Sequence, residues 1–438
     1  MTSFRLLSRF IPSILGVLLL SSSLLAQDRP PNIILIMADD LGVETIGTYG
    51  SDSYQTPYLD AMAADGAKFE NCFAQPLCTP SRVQIMTGQY NVRNYTVFGQ
   101  LDRSQTTFAN LLQEAGYKTA IAGKWQLGKE KDAPQHFGFE ESCLWQHMLG
   151  ATDEEGNDTR YSNPILEING VPRHFDEGQF STDVTSDFLI DFIERNQEQP
   201  FFAYYPMIIT HCPFVPTPDS EDWDPSSPGS PTYKGDARYF GDMVNYMDKT
   251  IGKIIAKVDE LGLSEETIII FTGDNGTDQP VVSSFRGRAY PGGKKFTTDN
   301  GIHVPLLIQW KGKILPGLEN EDLIDFSDFL PTLMDLAKVK IPKETPIDGV
   351  SFYPQLMGKK GSPRDWIYSW FTRNGDLESL KEFARSKEYK LYSTGEFYHV
   401  KEDWMEESPL APDELNAEAK KVYKTLSKAL DKYENIRN

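Results

Sequence analysis

Four stretches of mostly apolar residues, 32–37, 118–122, 201–209 and 267–272, each run into polar residues of a chemically useful kind. The first meets Asp39 and Asp40, the second Lys124, the third His211, and the fourth Asp274 and Asn275. Uninterrupted apolar runs of this length fit strands buried on both faces, as in a parallel sheet covered by helices. Ligands of such sheets bind beyond the carboxyl ends of the strands, so four polar clusters at four strand ends predict one site.

The intervening segments carry helical signals. Thr56-Pro57 up to Gly66 and Thr107 up to Gly116 each have a capping residue and a terminating glycine, and 181–196 and 237–261 space their apolar residues helically. The pattern also predicts a helix over 326–337 with Pro331 near its start or kinking it. Segments 141–180, 212–235 and 276–296 are rich in Pro, Gly, Ser and charge and read as loops that shape access to the site. Beyond about residue 350 the pattern changes to strands at 366–371, 389–393 and 396–400, followed by a charged amphipathic helix within 412–435. The predicted class is α/β: a large, mainly parallel central sheet flanked by helices over 27–350, with a smaller C-terminal antiparallel sheet plus helix over 351–438.

Residues 1–26 read as a signal peptide: Arg5 and Arg9 precede an apolar core at 11–20, and Ala26 is a small residue at a cleavage point. The apolar core is short for a membrane span, so an exported chain without a stable membrane anchor is expected. A formal charge of −20 argues against nucleic-acid binding, which depends on neutralising phosphates. An acidic chain acting on an anion needs a local positive pocket. Four cysteines are too few for a disulfide framework, and among Cys72, Cys143 and Cys212 a single pair is open.

The decisive segment is Cys78-Thr79-Pro80-Ser81-Arg82, continuing to Thr87-Gly88. Pro80 suits the first helical position with Thr79 as its cap, and Gly88 suits the end. Cys78 then stands at a helix N-terminus, whose free N–H groups favour an anion, with the Arg82 fork about one turn away.

This run resembles the hallmark Cys-x-Pro-Ser-Arg segment of type I sulfatases, enzymes of the alkaline phosphatase-like superfamily. The resemblance implies that a formylglycine-generating maturation enzyme oxidises Cys78 to formylglycine, whose hydrated aldehyde is the nucleophile. It also implies calcium held by Asp39, Asp40, Asp274 and Asn275, with residue 78 completing the shell. Gly123-Lys124-Trp125-Gln126-Leu127-Gly128 is similar to the family's Gly-Lys-Trp-His-Leu-Gly segment, which makes Lys124 a sulfate-binding residue. Here Gln126 stands where the family usually has histidine. His211 resembles the family's proton donor to the leaving oxygen, and 294–305 resembles its Lys-x-x-x-x-Glu-Gly-Gly-x-x-x-Pro run, with Lys294 as the sulfate-contacting lysine and Lys295 a near competitor.

The implied activity is hydrolysis of a sulfated organic substrate, preferably a saccharide, by an exported protein, with Arg82, Lys124 and Lys294 stabilising the sulfuryl oxygens beside calcium and Gln126 at the substrate. Two alternatives stay open: phosphate or phosphonate ester hydrolysis on the same scaffold, and a catalytically decayed carbohydrate-binding protein, suggested by Gln126. Trp145 and Trp223 are candidates for stacking on sugar rings.

Overall fold

The computed structural model describes residues 29–436; the predicted signal peptide lies outside them. Its strands are β1 (Asn32–Ala38), β2 (Ala67–Phe73), β3 (Lys118–Lys124), β4 (Glu141–Trp145), β5 (Ile165–Ile168), β6 (Val171–His174), β7 (Phe201–Pro206) and β8 (Thr267–Gly273). A hairpin of β9 (Val282–Phe285) and β10 (Arg288–Pro291) follows, then β11 (His303–Gln309) and β12 (Leu318–Asp325). The first eight strands with β11 and β12 form one ten-stranded sheet in the order β12-β2-β11-β8-β1-β7-β3-β4-β5-β6. Its centre, β8-β1-β7-β3-β4, is parallel; β11 and the β5-β6 edge run antiparallel to their neighbours.

Strand β1 shows why its sequence is continuously apolar. Ile33, Leu35 and Met37 join a core with the helices Cys78–Thr87, Phe108–Glu114 and Phe329–Ala337. Ile34, Ile36 and Ala38 face the other way, into a second core with Pro57–Ala64, Ser181–Arg195 and Phe240–Glu260. With both faces covered, there is no solvent side on which a polar residue would be favoured. At the far end, β13 (Ile367–Phe371), β14 (Lys381–Arg385), β15 (Lys390–Tyr392) and β16 (Phe397–Tyr398) form a separate antiparallel sheet, on which the helix Ala417–Asp431 packs through Ala419, Leu426 and Ala429.

Three expectations are corrected. The helix after β2 begins at Cys78, with Leu77 in the capping position, so Thr79 is inside the helix and does not cap it. Segment 141–180 contributes β4, β5 and β6 to the main sheet, and 276–296 contains the β9-β10 hairpin. The run beginning at Phe201 ends as a strand at Pro206, and its remainder is a loop leading to His211. All four cysteines are free and buried, so no pair forms among Cys72, Cys143 and Cys212. Among the described residues no helix is long and apolar enough to cross a membrane.

Candidate active site

The sheet delivers its polar residues to one place. Strands β1 and β8 run parallel in register, Ala38 opposite Gly273, so Asp39-Asp40 and Asp274-Asn275 emerge side by side. Lys124 is the last residue of β3, two strands from β1. Gly123 before it sits at φ 117° with the space for a Cβ filled by the Pro206 carbonyl oxygen at 2.0 Å, so the close approach of β3 to β7 depends on glycine. His211 lies in the loop after β7, Lys294 in the loop after the β9-β10 hairpin, and Cys78 at the start of its helix.

These side chains form a buried lattice of alternating charge. Lys124 Nζ donates to Asp39 Oδ2 at 2.7 Å, and Lys294 Nζ to Asp40 Oδ2 at 2.5 Å. Arg82 donates to Asp274 Oδ2 at 3.0 Å and to the Lys124 carbonyl at 3.1 Å, while the Asp40 N–H donates to Asp274 Oδ1 at 3.0 Å. Asn275 Nδ2 donates to Asp40 Oδ1 at 2.8 Å. Burial raises the Asp39 carboxyl, but Lys124, Arg82 and Lys294 outweigh it and leave Asp39 below its ordinary value. At Asp274 burial and then the charge of Asp39 dominate, pushing the carboxyl up to about 7.

Two oxygens in this lattice, Asp39 Oδ1 and Asn275 Oδ1, are buried without a hydrogen-bond partner. Ligand atoms of Asp39, Cys78 and Asp274 lie within 4.8 Å of one another, as do those of Asp39, Asp40 and His211. Orphaned hard oxygens among crowded carboxylates fit a divalent cation of the calcium or magnesium type, which would satisfy the orphans and relieve the repulsion. The residues form an acidic cluster able to hold a metal ion.

In front of the lattice is a cavity of about 620 Å³, lined by Cys78, Lys124, Gln126, His211 and Lys294 among others. Arg82, expected at the sulfuryl oxygens, is not part of the cavity lining; its two Nη groups bond Asp274 and the Lys124 carbonyl and hold these two in place. Gln126 Oε1 accepts from Cys78 Sγ at 2.9 Å and from Thr79 Oγ1 at 3.1 Å. His211 contacts Arg160 and the Cys212 carbonyl through Nδ1, and its Nε2 lies 3.0 Å from Lys294 Nζ. A proton on Nδ1 donated to that carbonyl leaves Nε2 as the acceptor for Lys294. Burial, then Lys294, Arg160 and Lys124, hold His211 well below the usual imidazole range, so the ring is neutral.

Sequence reasoning missed Arg160, which is buried against Asp158 and stacks over Trp145 at 4.4 Å. It comes from a segment read as loop, and nothing local marks its burial. Trp145 is thereby covered and Trp223 packs on Phe180, so neither offers a face to the cavity. His303 is held by the Glu70 carbonyl and stacks on Phe73, away from the site.

His147 fixes the loop that carries Gln146, whose side chain accepts from Gln126. Its Nε2 is 2.8 Å from the Glu130 carbonyl and its Nδ1 3.1 Å from Glu167 Oε2, a contact that becomes an ion pair when the ring is protonated. Burial lowers the imidazole, but Glu167 and the Glu130 carbonyl outweigh it and raise His147 above its ordinary value. A raised base stabilises the fold below its unfolded-state pKa, and this contribution is lost as pH rises through the folded value. His147→Gln is therefore expected to destabilise the protein by about 1–3 kcal/mol near pH 5.5 and by clearly less near pH 8.5. Denaturant unfolding of both proteins across that range checks it; a pH-independent difference contradicts it.

The sequence model of the sulfatase family matches residues 31–339, and that of the N-sulphoglucosamine sulphohydrolase C-terminal region matches 292–435. Arylsulfatase A of Homo sapiens is 33% identical over 418 residues, covering 86% of this chain and 77% of that protein. The fold is also that of the crystal structure of Ps i-CgsB in complex with k-i-k-neocarrahexaose, with TM-score 0.76, 23% identity and 94% of each chain covered. The phosphonate monoester hydrolase of Agrobacterium radiobacter gives TM-score 0.69 at 21% identity, covering 92% of this chain and 95% of that one. Family matches over most of the chain, a mainly parallel sheet of the alkaline phosphatase-like kind and the lattice around Cys78 agree: this chain belongs to the sulfatase family and is a sulfatase.

Proposed function

We propose that this sulfatase is exported and removes sulfate from a sulfated saccharide, using formylglycine made from Cys78 and a calcium ion. The observation that carries the reading is Cys78 at a helix N-terminus, opening into a cavity whose walls present Lys124, His211 and Lys294. Asp39, Asp40, Asp274 and Asn275 would hold calcium, with residue 78 beside them; the two orphaned oxygens support this ligand set. Calcium would supply positive charge next to the sulfuryl oxygens. Formylglycine would supply a hydrated aldehyde, one hydroxyl attacking sulfur and the other allowing sulfate to leave.

The chain's own residues do the rest. Lys124 and Lys294, each anchored on a carboxylate, present ammonium groups to the sulfuryl oxygens as negative charge redistributes. Arg82 keeps Asp274 and Lys124 oriented. Neutral His211 and Lys294 hold a proton between Nε2 and Nζ, from which the departing alcohol is protonated at the cavity mouth. The family's histidine is replaced by Gln126, whose Oε1 faces residue 78 and can orient a hydroxyl but not take its proton.

The test is sulfate release from sulfated saccharides by protein co-expressed with a formylglycine-generating enzyme, with residue 78 identified by mass spectrometry. Cys78→Ala is expected to abolish turnover in a folded protein, and Lys124→Ala to lower kcat by about 10²–10³-fold. Full activity with unmodified cysteine contradicts the proposal, and faster turnover of matched phosphate esters would favour phosphate or phosphonate hydrolysis instead.

Gln126 generates a kinetic expectation. Release of the alcohol should show a burst followed by slower turnover, and Gln126→His should raise the steady rate more than the burst. Rapid mixing with a chromogenic sulfate ester measures both. Absence of a burst, together with loss of activity in Gln126→His, would show that the pocket is built around the amide.

A further inference from the structure

Six cationic side chains line the cavity: Lys124, Arg160, Lys234, Lys294, Lys295 and Arg373. Four face carboxylates, Lys124 on Asp39, Lys294 on Asp40, Arg160 on Asp158 and Lys234 on Asp278. Among the described residues Lys295 and Arg373 have no carboxylate partner, although the chain carries a formal charge of −20. Both are exposed.

Two independent sets of contacts lead from them to the chain on either side of residue 78, at Pro76 and at Thr79, and both line the cavity with Cys78. The Lys295 N–H donates to the Pro76 carbonyl at 2.9 Å, and its φ of 78° sends its side chain apart from that of Lys294, which turns inward to Asp40. On the other flank the Arg373 guanidinium lies 5.0 Å from the centre of the Phe98 ring, and the Arg373 carbonyl accepts from Tyr95 Oη at 2.7 Å. The neighbour of Phe98, Gly99, donates its N–H to Thr79 Oγ1 at 3.1 Å. Lys295 therefore abuts residue 76 directly, while Arg373 is linked to residue 79 through the 95–99 segment. Unpaired positive charge converging on one cavity, within a repelling global field, concentrates anions there.

Resting on the sulfatase reading of this cavity, we propose that Lys295 and Arg373 bind a second anionic group of the substrate, outside the sulfate being cleaved. The ligand chemistry is a planar or tetrahedral oxyanion on the same or the adjoining sugar, either a further sulfate ester or a carboxylate. An arginine fork held on an aromatic face suits both, and lysine adds a point charge. The preferred substrate is then a polyanionic saccharide rather than an isolated monosulfate.

The experiment uses the mature, formylglycine-bearing enzyme and three probes: a monosulfated monosaccharide, its disulfated counterpart, and a monosulfated disaccharide bearing one carboxylate. The expected kcat/KM favours one of the two dianionic probes by about tenfold at low salt, the size that two solvent-exposed ion pairs support, and the preference shrinks as salt rises. Which dianionic probe wins identifies the source of the second anion. In the Lys295→Gln, Arg373→Gln double variant the ratio is expected to fall towards one, mainly through KM. Turnover in which the parent shows no dianionic preference, or in which the variant loses equally on all three probes, overturns the inference while leaving the sulfatase reading standing. No sulfate release from any probe overturns both.

Discussion

Everything at this site depends on neutralising charge that has been taken out of water. Asp39, Asp40 and Asp274 are buried at the ends of two adjacent strands, and Arg82, Lys124 and Lys294 are buried against them. Buried charges persist only when paired and hydrogen-bonded, so each of the six fixes the position of another. With all three carboxylates ionised the three cations balance them in formal charge, and a divalent ion among them would leave the lattice positive toward the cavity. That excess is what an anionic ester needs in a chain whose overall charge repels it.

The lattice is braced from outside the main sheet. Arg385 of β14 pairs with Asp299, Lys390 of β15 reaches the Thr297 carbonyl and Glu406, and Tyr392 Oη lies 2.7 Å from Thr297 Oγ1. These contacts hold the loop that carries Lys294 and Lys295. Arg364 likewise bonds Asp328, at the entry to the helix that packs on Cys78–Thr87. The C-terminal unit thus acts on the site through packing, and through Arg373 it also lines the cavity.

The central strands were legible because burial on both faces writes an unbroken apolar run, and the polar residue that follows each run then marks the site. Strand β2 was not, since Lys68, Glu70 and Asn71 interrupt it although it lies between β12 and β11. Edge strand β12, Leu318–Asp325, is largely polar for the same reason that it is an edge. Thr79 read as a cap because local rules score local bonds, whereas its hydroxyl serves Gln126 and Gly99. Lys294 was separable from Lys295 only by motif alignment; in three dimensions the backbone at Lys295 turns the two apart. Arg160 left no trace in the sequence, because its burial comes from Asp158, Trp145 and His211 meeting across three segments.

The most direct test of this account is a calcium titration of mature protein stripped with chelator, following bound metal and sulfate release together in the parent and in Asp274→Ala. A single calcium per chain is expected to restore turnover in proportion to its binding, and Asp274→Ala is expected to lose both. Full turnover of the parent with no divalent ion bound would contradict the central claim that the lattice is a metal cradle.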